Sequence, residues 1–252
     1  MIIAARAFGY AQARMQARYA LLPDEAAWGR LAAARSLTAF LAEARALRFG
    51  QWVKGFSRHS SAHELERGVR LQFRDTVDAV AGWMPERWGP AVAWTRWLPY
   101  LPLFALLARG DSVPRWACED YLLVALLDEA GQPRPAMVGE AGLRPLFAGD
   151  VDVAAAWLRE WQRRWPPSGG EGRSALTRLL ALFGAHLVAF RSAAPDATWP
   201  LRRELRTELR QRFRRSSLQP VTPFIFLALV ALDLERLRAE LVGRALFAAE
   251  AN

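Results

Sequence analysis

Apolar positions recur along the chain at three- and four-residue spacing and strand-like alternation is scarce, so the pattern predicts an all-α protein. Residues 3–22 read as a first helix, with Arg6, Tyr10, Arg14 and Arg18 four apart on one face. Pro23-Asp24 ends it and caps a second helix that turns Trp28 and Leu31 inward. Ser36 caps a third, expected to end near Phe49-Gly50. Ser61-Ala-His-Glu64 forms a capping box, in which hydroxyl and carboxylate reciprocally satisfy the first free backbone N–H groups. The helix it opens is expected to reach about Trp83, where Met84-Pro85 stops it.

Four prolines, Pro85, Pro90, Pro99 and Pro102, chop the tryptophan-rich stretch 83–102 into short helical pieces. This segment reads first as core packing, with an exposed aromatic anchor as the alternative. Residues 114–129 look helical around Trp116, Tyr121 and Leu123, and 131–149 read as loop or short turns. Asp150 is expected to cap a helix carrying Trp157, Trp161 and Trp165, and 166–172 reads as a linker. Residues 174–191 are then helical, and 200–215 form a basic helix with the apolar stripe Leu201, Leu205, Leu209 and Phe213. Thr222-Pro223 reads as an N-cap followed by proline at the first helical position. The last helix is expected to run to about Ala249, apolar all round from Phe224 to Leu232 and amphipathic thereafter. Two regions follow from this reading, 1–165 with the Trp/Pro-rich middle and 173–252 packing back on the N-terminal helix, or one continuous domain.

Composition changes the picture in one respect. At 252 residues and 52% hydrophobic the chain can bury a sizeable core, and disorder throughout is excluded. The net charge of +9 is carried almost wholly by arginine, since Lys54 is the only lysine. Residues 1–58 hold eight arginines and Lys54 against Asp24, Glu25 and Glu43, a net +6. Residues 202–215 hold seven arginines against Glu204 and Glu208, a net +5, which leaves the rest at −2. The charge belongs to the two ends.

Candidate chemistry is thin. His59 and His63 are four apart beside Glu64 and Glu66, but the capping box puts His59 ahead of the helix, so capping explains the group better than a metal does. His186 stands alone in the apolar run from Leu179 to Phe190. Cys118 beside Glu119 and Asp120 has the wrong electrostatics for a nucleophile and reads as a buried helix cysteine. A single cysteine forms no disulfide framework and no multi-cysteine zinc site. With no phosphate loop, nucleophile elbow or metalloprotease motif, no catalytic residue, metal or cofactor is expected, and the chain reads as a non-enzyme. The best membrane-span candidates fall short: Arg96, Pro99 and Pro102 interrupt 91–108, and 223–232 has half the necessary length. No secretory signal is read at the start, because Arg6 interrupts the short apolar opening Met1–Ala5 and no 7–15-residue apolar stretch follows a basic start, so a cytoplasmic protein is expected.

The basic helix has two readings. In one it is a surface helix whose Leu/Phe stripe packs inward while its arginines face water, with Glu208 pairing to Arg212. In the other it meets an acidic partner, lipid headgroups or nucleic acid, although no recognised nucleic-acid motif accompanies it.

Both basic ends carry a family likeness. Tyr10, Ala13-Arg14, Arg18, Leu21-Leu22 and Ser36-Leu37-x-x-Phe40-Leu41 resemble the opening of the AC39 family of V-type (A-type) ATPase components, named C in archaea and bacteria and d in eukaryotes. Asp233, Leu237-Arg238 and Gly243-Arg244 are similar to that family's closing helix, with Arg236 standing where the family usually has Asn. About 40 residues at the start and about 30 at the end take part, and the Trp/Pro middle departs from the family. The resemblance implies an all-α protein built from helical bundles of the C/d type. It also implies a non-catalytic role in proton or sodium transport, joining the central rotor stalk to the membrane rotor ring at the inner face of the membrane. Arginine contacts with acidic ring loops or the anionic membrane surface would then come from Arg6, Arg14, Arg18, Arg202, Arg206, Arg210 and Arg214. Reversing Arg206, Arg210 and Arg214 is then expected to abolish ring or membrane binding while the fold survives. The alternatives are a divergent stand-alone helical adaptor with the same fold and a nucleic-acid-associated protein using the basic helix.

Overall fold

A computed structural model describes residues 2–148, 152–167 and 170–247, and among them every named element is helical. The chain forms two compact units, one from residues 1–92 with 167–252 and the other from 93–166. The expected division had one boundary, at 166–172. A second falls after Val92, because the C-terminal helices pack with the N-terminal ones.

The first segment of the larger unit holds α1 (Ile2–Tyr19), α2 (Glu25–Ala32), α3 (Leu37–Ala46), α4 (Gly50–Val53), α5 (Ala62–Trp83) and α6 (Gly89–Ala93). Local chemistry sets their ends. Asp24 and Ser36 each accept the backbone N–H three residues on, and Ser61 and Glu64 form both bonds of the capping box. α3 stops at Ala46, earlier than expected, and α4 is a separate single turn that buries Trp52 and Val53.

Residues 93–166 form the smaller unit. A 3₁₀ stretch, Trp94–Tyr100, leads into α7 (Leu101–Ala108), followed by α8 (Tyr121–Leu126), α9 (Pro135–Glu140) and α10 (Val153–Arg163). Prolines at Pro99 and Pro102 remove backbone donors and keep the early pieces short. Trp94, Trp97, Tyr100 and Phe104 are buried, so the Trp/Pro segment is core; the Trp94 indole N–H donates to the Trp157 carbonyl at 3.2 Å. Trp157 stacks on Trp161 along α10, and Trp161 meets Trp165 edge-on just beyond its end. Residues 131–149 hold more structure than expected, with α9 and a 3₁₀ turn at Arg144–Phe147. Asp152, not Asp150, caps α10; Asp150 lies outside the described residues.

Three long helices complete the larger unit: α11 (Gly170–Ser192), α12 (Thr198–Arg215) and α13 (Thr222–Phe247). α11 already begins at Gly170, inside the expected linker. Thr222 is the first residue of α13, and its hydroxyl donates to the Ser216 carbonyl instead of capping the helix. α13 is the central strut, packed along α5 and α12 and touching α1 and α3. Its first turns, Phe224–Leu227, are buried on every side, whereas the second half buries only one stripe through Asp233, Leu237 and Leu241.

Candidate partner-binding surface

α12 turns Leu205, Leu209 and Phe213 into the core, and with them Arg206, which is only 8% exposed. Arg206 Nε donates to Asp233 Oδ1 at 2.8 Å and an Nη donates to Asp233 Oδ2 at 3.1 Å, a two-pronged pairing matched to the carboxylate. The guanidinium also donates to the Pro23 carbonyl, at the mouth of the α1–α2 turn, and reaches Glu25. Arg210 donates to the same Pro23 carbonyl at 2.9 Å and lies over the Tyr19 ring. Burial, and after it the neighbouring Arg206, pulls the Arg210 guanidinium below its ordinary value. Burial pushes the Asp233 carboxyl up, and the two arginines draw it back.

Arg236, the departure from the family pattern, pairs with Glu25 at 3.3 Å and lies 4.3 Å over the Trp28 ring, so α13 is tied to α2 by charge and stacking together. Further along α13, Arg238 donates to Glu66 of α5 at 3.0 Å. Arg244 donates to the Ala34 carbonyl at 2.9 Å and covers Phe40. Leu22 and Leu237 are buried, and Gly243 has open space where a Cβ would stand.

The remaining arginines divide by exposure. Arg14 and Arg18 are exposed on α1: Arg14 lies over Tyr10 and Trp83, and Arg18 donates to Gln51 at 3.3 Å. Arg18, exposed Lys54, Gln51, Gln72, Asp75 and Thr76 rim a cleft of about 200 Å³ floored by Leu22, Phe226 and Val230. Arg214 is exposed at the end of α12. Arg202 is paired with Glu235 and stacked over Phe190 and Trp199. The side chain of Arg6 lies outside the described residues. Comparison with protein-family models, curated proteins and solved structures gives no match.

Two expectations are corrected by this geometry. Arg206 is an interior residue, so reversing its charge attacks the fold before any partner. Its signal is present in α13: a lone carboxylate within the apolar run Phe224–Leu234 demands a cation. Cys118 is exposed, in a 3₁₀ turn, and the buried residue is Asp120. Asp120 accepts the Tyr100 hydroxyl at 2.8 Å with one oxygen and the Leu122 N–H at 3.0 Å with the other, pinning the start of α8. Among the described residues no three metal-ligating side chains converge, and His59 takes a hydrogen bond from Arg58 Nε. The inward stripe of α12 and the Glu208–Arg212 pair, at 2.7 Å, are as expected, but its arginines do not all face water, since Arg206 is buried and Arg210 half-buried.

Proposed function

We propose that this chain is a non-catalytic V-type ATPase protein of the C/d (AC39) type, coupling a central rotor stalk to a membrane rotor ring from the inner face of the membrane. The supporting observation is that the two segments carrying the likeness, at opposite ends of the sequence, meet in one unit. Asp233 and Arg206 close on Pro23, directly after Leu21-Leu22, and Arg244 closes on Ala34, ahead of Ser36-Leu37. A coupler needs long helices that resist torque, and α13, about 39 Å long at 1.5 Å per residue, is braced along its length.

A second reading has its own support. Residues 93–166 form a compact unit and carry none of the likeness, which suits a divergent adaptor that serves another assembly.

Pull-down of the tagged chain from native membranes separates the two. The coupler reading expects stalk and ring proteins in the eluate; recovery of other proteins without them overturns it. Within that experiment, the exposed set Arg14→Glu, Arg18→Glu and Arg214→Glu replaces the interior Arg206 as the charge-reversal test. Capture is expected to fall with the helical circular dichroism unchanged.

A further inference from the structure

The helical hairpin formed by α11 and the start of α12 is uncovered. The N-terminal half of α11 docks through buried Ala175, Leu176 and Leu179, but from Leu180 to Glu204 no residue is buried. That stretch is not polar. Between Arg178 and Arg191 the sequence is Leu-Leu-Ala-Leu-Phe-Gly-Ala-His-Leu-Val-Ala-Phe, with His186 its only polar side chain. Leu187 is 51% exposed and Val188 70%, and Trp199, across the hairpin on α12, is 41% exposed. Residues Gly172–Ser192 are long and apolar enough to cross a membrane, with 17% of the stretch buried.

Three features say what covers this face. The outer side of the helix carries Leu180, Ala181, Gly184, Ala185, Leu187 and Val188, none of which has a hydrogen-bonding side chain. Protein interfaces carry about one hydrogen bond per 100–200 Å², so a face with no polar group suits a partner without directional demands. The apolar stretch is bracketed by exposed Arg173 and Arg178 on one side and exposed Arg191 on the other, and no acidic residue occurs from Gly172 to Pro195. Trp199 supplies the amphipathic ring favoured at the boundary between headgroups and hydrocarbon.

The charges beside the stretch favour a helix lying in the membrane surface over one that crosses it. The uncharged stretch, twelve residues, covers roughly 18 Å against a hydrocarbon core of about 30 Å. Its packing partner α12 brings Arg202, Arg203 and Glu204 alongside, with Arg202 lying over Phe190. A charged helix bound to its flank suits a place at a membrane surface better than one in its hydrocarbon core.

We propose that residues 180–199 form a membrane-contact element, which lays the outer face of α11 into the headgroup–acyl boundary of an anionic bilayer with Arg173, Arg178 and Arg191 on the lipid phosphates. The element takes lipid directly and operates whether or not the chain belongs to a rotary complex.

The test is sedimentation of the full chain with vesicles of phosphatidylcholine alone and of phosphatidylcholine with phosphatidylglycerol. Binding is expected to the anionic vesicles and to weaken about fivefold for each of Arg178→Gln and Arg191→Gln, more at low salt. Leu187→Glu with Val188→Glu is expected to cut binding at least tenfold. Both side chains face solvent, so the helical circular dichroism stays unchanged. In a Cys118→Ser background, an environment-sensitive dye on Val188→Cys is expected to shift to the blue on anionic vesicles. Equal or absent binding to both vesicle types overturns the proposal. So does a concentration-dependent dimer dispersed by Leu187→Glu without vesicle binding, which would make a second copy the occupant.

Discussion

α11 and α12 run side by side and invert what their compositions suggest. α12 is among the most charged segments of the chain, yet it buries Leu205, Leu209, Phe213 and the guanidinium of Arg206. α11 is among the most apolar, yet past Leu179 it buries nothing. Mean hydropathy therefore fails to rank the two helices by depth. What decides is whether the rest of the unit supplies a matching surface. α13 offers α12 an apolar groove and, at Asp233, a counter-charge; the outer half of α11 packs against α12 and buries none of its side chains there.

The contrast is broken most sharply at Arg206. Arg206→Leu or Asp233→Leu alone leaves the other charge buried without its partner and is expected to cost about 3–5 kcal/mol in urea unfolding. The double replacement Arg206→Met with Asp233→Leu is expected to recover most of that loss. A double variant as unstable as either single one would show that the Pro23 carbonyl, not Asp233, is the contact that matters.

A smaller effect compares matched leucines on the two helices. Leu209→Ala in α12 removes a side chain that is fully buried and is expected to cost about 2–5 kcal/mol. Leu187→Ala in α11 is expected to stay within about 0.5 kcal/mol, because the leucine is half exposed already. Equal costs at the two sites would mean that α11 is covered in solution.

The finest probe is His186, on the inner side of α11. Burial holds its ring below the ordinary 6.5, nearby Arg202 of α12 pushes the same way, and Glu235 opposes them. A lowered folded-state value means that folding favours the neutral ring. Its contribution is therefore present above pH 6.5 and is lost as pH falls through the lowered midpoint. An NMR titration is expected to place the His186 midpoint below 6.5; a midpoint at or above that value would mean that α11 stands away from Arg202.

Local chemistry is readable along the chain, and distant pairing is not. Asp24, Ser36 and the Ser61–Glu64 box mark their helix starts because the bonds they make span three residues. The end of α5 at Trp83 follows from the proline two residues on. Asp152 escapes a sequence reading because Asp150 sits two residues away with the same capping chemistry, and α9 does so because three prolines and four glycines around it mimic a loop. The interior place of Arg206 depends on groups 27 and 183 residues away, beyond any periodicity. The bare face of α11 is hidden for a related reason: apolar spacing announces that a helix wants cover, and says nothing of whether cover arrives.

The closure of residues 23, 206 and 233 on one another also sets the order of events during synthesis. α5 and α1 pack against α13, which follows them by about 140 residues or more in the chain. At roughly 5–20 residues per second, the N-terminal helices wait on the order of ten to thirty seconds, their apolar sides open to chaperones, before that partner leaves the ribosome. Residues 93–166, contiguous in sequence, are complete well before then, so the unit in the middle of the chain matures ahead of the unit that begins it.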